Sequence, residues 1–353
     1  TTALTVDVTG NQEQLDELLE KVDGELLKRG AKKESVDARG TEMSVYSFTL
    51  KKDPSAKRTA VYFVKDNILC ATDSRLEAEE MLSRFSGKIA GLASVKAYQE
   101  TAARCAEASD GLKPELHWYL DPFGYARSVR SFRDPKEKVH GKDYLVILSS
   151  QGFEAIQGAG GFVNLAVGGT FELLHRTAVY APAIPGLTGK YELAMRMMKF
   201  PNGKSLTAPS WLPRKLASYR TFNMDIDNAF ENFGSLFDAI AGYDKAFEKV
   251  LQGLEKDPYG PQVDVKKDFI AHLGERVTMV TDYQVPITTK CERFLFAVEL
   301  TDQSAIAETV EKFMKSDPNA IQTEFEGRVV WEIQEEQNDM PDVDISVSEL
   351  DLL

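Results

Sequence analysis

Residues 221–240 read TFNMDIDNAFENFGSLFDAI, and this stretch decides the fold class. Phe222, Met224 and Ile226 alternate with Asn223, Asp225 and Asp227, the period of a half-buried strand. A run with helical spacing follows at once, so acidic residues stand where strand gives way to helix. The same order recurs in LTVDVTGNQEQLDELLEKV from Leu4, LHWYLDPFGYARSV from Leu116 and LFAVELTDQSAIAETVEKF from Leu295. In the first of these, Leu15, Leu18, Leu19 and Val22 form an amphipathic helical stripe. In the last, Ile306, Val310, Phe313 and Met314 share one face.

Outward from these junctions, TEMSVYSFTL, RTAVYFVKD and ILCATD read as strands of a meander, with turns at DPSAK and KDN. SRLEAEEMLSRF and ASVKAYQETAARCAEA read as helices. DYLVILSS reads as a strand, GFEAIQ as a short helix, and GGFVNLAVGGTFELLHRTAVYAP as two strands around a Gly-Gly turn. YELAMRMMKF is a short helix before a Pro-rich connection. DVKKDFIAHLGERVTMVTDYQ reads as a helix stopped at Gly274 and then a strand, and TEFEGRVVWEI as a hairpin turning at Glu326-Gly327.

Two comparisons point to duplication. Residues 4–9 with their helix and DARGTEMSVYSF parallel residues 295–301 with their helix and TEFEGRVVWEI; FEAIQGAGGFVNLA parallels FIAHLGERVTMVTD. The expected fold is α+β: duplicated strand-helix-strand-strand modules forming mainly antiparallel sheets, with helices packed on one side. Modules are expected at 1–110, 111–200 and 201–335. Residues 336–353 follow as an acidic tail or linker, because no Lys or Arg occurs after Arg328.

A net charge of −13 opposes nucleic acid and anionic membranes, which attract basic surfaces. The longest apolar runs are too short to span a bilayer as a helix. Cys70, Cys105 and Cys291 match no zinc or haem spacing; they read as buried free thiols, or as one Cys70–Cys105 bridge with a thiol left over. The chain opens Thr-Thr with a strand already at Leu4, as expected after removal of a signal peptide.

The junction acids Asp7, Asp121, Asp225, Asp227 and Asp302 suit two roles. They can accept hydrogen bonds from the first helical turn, or gather around a hard cation. No EF-hand spacing is present, so capping is expected, at Asp121, Asp227 and Asp302. No metal, cofactor or catalytic residue is assigned. GAGG at 158–161 precedes a strand, the reverse of a dinucleotide loop, and reads as a C-cap with tight packing. GKS at 203–205 lacks the upstream glycine of a phosphate loop.

His117, His140, His175 and His272 form no ligand pair and read as structural. Arg127, Arg130 and Arg133 read as a solvated helix face or an anion patch. Met195, Met197 and Met198 with Phe200 are candidate partner contacts, against simple burial in a core.

LPRKLASYRTFNMDIDNAFENFGSLFDAI, DFIAHLGERVTMVTDYQ, RFLFAVELTDQSAIAETVEKFMKSDPN and FEGRVVWEI together resemble a family of exported bacterial proteins carrying a domain of unknown function. The resemblance covers roughly 112–333 and rests on motif order. It implies an extracytoplasmic location, periplasmic or at the cell surface, and a tandem α+β build, and it brings no reaction. The resulting expectation is a non-enzymatic structural or binding protein of the bacterial cell envelope, working through a protein partner or self-assembly. A carrier of a lipid-like apolar ligand and a hydrolase built around His117 with Asp121 or Asp225 are the alternatives.

Overall fold

The computed structural model describes residues 1–50, 53–109, 111–131, 142–165, 172–202, 205–288 and 291–334. It is an α+β protein with mainly antiparallel sheets. Two compact units are present: Thr1–His117 with Gly160–Ala178, and Trp118–Ala159 with Val179–Leu353. The expected middle module, 111–200, is therefore shared between the units.

The first unit opens with strand β1 (Ala3–Asp7) and helix α1 (Gln12–Lys28). Strands β2 (Lys32–Ala38), β3 (Thr41–Leu50), β4 (Asp53–Lys65) and β5 (Ile68–Thr72) follow. The sheet order is β1-β5-β4-β3-β2, antiparallel at every pair. The two-residue turns explain the meander. Arg39-Gly40 and Asp66-Asn67 all have positive φ, the conformation whose twist joins paired strands directly. DPSAK is not a turn, since β4 already begins at Asp53.

Because β1 and β2 occupy opposite edges, α1 must cross the whole sheet. Its 17 residues span about 25 Å at 1.5 Å each. Four strand spacings need about 19 Å. Near its start Leu15 packs with Val8 and Leu69, flanked by Leu19, Tyr62 and Val64. Near its end Asp23 meets β2, β3 and β4. The opposite face gathers Met43, Val45, Val61, Phe63 and Cys70 against Ala78 and Leu82 of α2 (Arg75–Phe85). One-sided helix packing would leave this face open. The uninterrupted apolar run Ala60–Val64 supplies side chains to both faces, as a doubly covered strand requires.

Helix α3 (Lys96–Glu107) buries Ala97, Thr101 and Cys105 at four-residue spacing. Strands β6 (Leu116–Leu120), β7 (Gly158–Leu165) and β8 (Leu173–Tyr180) form a sheet in the order β6-β7-β8. GAGG opens β7 and is not a C-cap. The Cys105 thiol donates to the Gly160 carbonyl at 3.5 Å.

In the second unit, α4 (Pro122–Ser131) is followed by α5 (Tyr144–Ser150), where the composition of DYLVILSS predicts a strand. The reason is local. Asp143 accepts the Val146 N–H at 3.0 Å and pairs with Arg130 at 2.7 Å, which fixes a helix start. Next comes a 3-10 turn at Phe153–Ala155, introduced by Gly152 at φ +84°; a side chain there would strike the Glu192 carbonyl at 2.8 Å. Another 3-10 turn spans Leu193–Met197.

Strand β9 (Ser218–Asn223) leads into α6 (Ile226–Ala241) and α7 (Ala246–Lys256). Phe230, Phe233 and Phe237 of α6 converge on Phe247 of α7 at 5.5, 5.6 and 5.5 Å. Strands β10 (Leu273–Tyr283) and β11 (Glu292–Leu300) complete an antiparallel sheet ordered β11-β10-β9. Gly274 lies inside β10, preceded by a π turn at Val265–Phe269 and a 3-10 turn at Ile270–His272. Helix α8 (Gln303–Ser316) then leads to β12 (Ala320–Phe325) and β13 (Arg328–Ile333), a hairpin of its own. Glu326 and Gly327 both have positive φ in its turn. Strand, helix and hairpin thus recur in order at both ends of the chain, in one sheet in the first unit and in two in the second.

Asp23 is the polar fastening under α1. Its carboxylate accepts from the fully buried Tyr46 hydroxyl, from Tyr62 at 2.9 Å and from Lys33. Burial draws the Asp23 carboxyl upward, but the Lys33, Tyr46 and Tyr62 hydrogen bonds outweigh it and hold it below its usual range. The bond to Asp23 raises Lys33; burial, then Asp23, pushes the Tyr46 hydroxyl well above its ordinary value. Asp23→Ala removes the carboxylate to which the buried Tyr46 hydroxyl donates and is expected to cost about 2 kcal/mol in urea unfolding. The lowered carboxyl gives the pH sign. The gap between wild type and variant is full above the unfolded value of about 3.9 and closes as pH falls through the lower folded value. A pH-independent gap would contradict this account.

Candidate interaction surface

Three of the junction acids, Asp121, Asp225 and Asp302, stand at separate helix starts. Asp121 accepts the Gly124 N–H at 3.0 Å ahead of α4, and Asp302 accepts the Ala305 N–H at 3.0 Å ahead of α8. At α6 the expected residue is corrected. Asp225 is the cap, accepting from Asn228 at 3.0 Å and pairing with Lys199 at 2.6 Å, while Asp227 lies within the first turn. The alternating pattern ends two residues earlier than Asp227 suggests, because β9 stops at Asn223. The Lys199 bond and the Asn228 N–H keep the Asp225 carboxyl below its usual value. Asp7 accepts from Thr9 at 2.9 Å and closes a turn ahead of α1, whose N-cap is Asn11. Among the described residues, no three His, Cys, Asp or Glu side chains converge as metal ligands.

His117 packs its ring on Phe162 at 6.1 Å in the first unit, and Asp121 belongs to the second. His175 lies 3.3 Å from the Thr177 hydroxyl, and the His272 carbonyl accepts the Thr301 N–H. Arg127 pairs with Glu154 at 2.7 Å and Arg130 with Asp143, so this helix face is tied to acidic neighbours. Cys70 and Cys105 are buried free thiols; burial pushes Cys70 up to about 11 and raises Cys105 as well. His140, Arg133, Gly203, Lys204 and the tail 336–353 lie outside the described residues.

The methionine cluster is mostly interior. Met195 is buried and Met197 and Met198 are half-buried, so Met195 offers no surface to a partner. Its backbone N–H donates to Gln151, which pulls the 3-10 turn inward. Phe200 is exposed along one edge and packs its ring against Phe222 at 6.1 Å.

Two depressions are open to solvent. In the first unit one of about 590 Å³ is lined by Thr41, Glu42, Ser44, Lys65 and Asp66 as well as Phe63 and Val64. In the second, one of about 260 Å³ lies between Pro209 and Trp211 and the sheet residues Arg276, Thr278, Ala297, Val298 and Glu299. Arg276 braces that loop by donating to the Thr207 carbonyl at 2.6 Å and the Tyr219 hydroxyl at 3.2 Å. Neither lining is an enclosed apolar chamber.

The prominent apolar surface is strand β11. Among the described residues it pairs with β10 alone, so its outer backbone groups have no strand partner. Phe294 and Phe296 stand on one face at 57% and 56% exposure, with Leu295 exposed on the other. The strand ERFLFAVEL carries neither Lys nor Pro, the usual protections of an open edge. The register shift opposite Glu299 is accommodated by extra residues on β10, leaving β11 regular. Gly274 permits this: a Cβ there would lie 2.9 Å from the Glu299 side chain. The hairpin β12–β13 likewise exposes Phe325, Val329 and Ile333. In RFLFAVEL the apolar residues are too continuous for a strand with one wet face.

The chain matches no family model, no curated protein and no solved structure. Asp225→Ala is expected to cost about 1 kcal/mol in chemical denaturation, the usual scale of a lost cap, and Asp227→Ala much less. Equal losses would place the helix start elsewhere.

Proposed function

We propose that this chain is a non-enzymatic, extracytoplasmic structural or binding protein of the bacterial cell envelope, meeting protein partners through exposed β-strands. The observation that carries the reading is β11: an edge unpaired among the described residues, with two phenylalanines more than half exposed. An added strand would satisfy its outer N–H and C=O groups and cover apolar area at once. Large exposed apolar patches on soluble proteins commonly mark interaction sites. The extracytoplasmic part rests on the resemblance to exported proteins alone.

The other two readings find less support. The depressions have mixed polar linings, which suits a lipid-like ligand poorly. The Asp121 carboxylate is engaged by the Gly124 N–H and the His117 ring by Phe162, neither of which prepares a general base.

A photo-crosslinking residue at Phe294, in the full chain in its native cells, should capture a polypeptide. The same residue at Tyr259, which is 93% exposed but outside a strand, should not. Fractionation should place the chain outside the cytoplasm. Silence at Phe294 or equal capture at Tyr259 would overturn the binding reading, and cytoplasmic recovery would overturn the location.

A further inference from the structure

We draw no further inference here: the strongest candidate, the open outer edge of β11 with Phe294 and Phe296 exposed on its face, carries nothing beyond the reading above, because among the described residues nothing shows what covers it.

Discussion

The first unit depends on one constraint of length. Its first two strands run in the same direction at opposite edges of a five-stranded sheet, and a single helix joins them. That helix has to be long enough to cross every strand between, and its underside must suit each strand it passes. Hence α1 is apolar at Leu15, where it meets Leu69, and anionic at Asp23, where it meets Tyr46, Tyr62 and Lys33. The turns from β2 to β3 and from β4 to β5 need only two residues because the helix has already covered the distance.

Three turn or helix starts in the second unit share another device. Asp143, Asp225 and Asp264 each accept a backbone N–H of the first turn and also pair with a cation, respectively Arg130, Lys199 and Lys267. In each the side-chain bond, aided by the backbone N–H, lowers the carboxyl below its usual value. At Asp143 and Asp225 the carboxylate links a helix end to a neighbouring segment, whereas Asp264 pairs within its own turn. Of these three, Asp225 is the one that, read along the chain alone, also suited a cation site, and its carboxylate is occupied by Asn228 and Lys199.

Much of this is legible in the sequence because local periodicity and turn chemistry agree with the fold. Residues 221–240 spell strand and then helix, Glu326-Gly327 a hairpin, and the apolar stripe of α8 its inner face, while on α1 Leu15 is buried and Leu18 of the same stripe is exposed. The errors come where tertiary context overrides a short window. DYLVILSS has strand-like composition, yet Asp143 and Arg130 organise it as a helix. GAGG resembles a helix stop, yet its glycines open a buried strand beside Cys105. Gly274 resembles punctuation, yet it makes room for Glu299 on the next strand. Asp227 reads as the cap because alternation continues into the helix, and only the Asp225 hydrogen bonds separate the two. The edge position of β11 is beyond reach, since strand order is not encoded in any one strand.

The environments of the cysteines carry a practical corollary. Cys70 and Cys105 are shielded by burial, whereas Cys291 is only partly buried and directly precedes Glu292, the first residue of β11. A maleimide fluorophore or nitroxide added to the native chain would therefore attach beside the open edge in preference to either interior thiol. Nature has in effect placed a reporter handle next to the surface most in need of watching, and spectroscopy there requires no cysteine engineering.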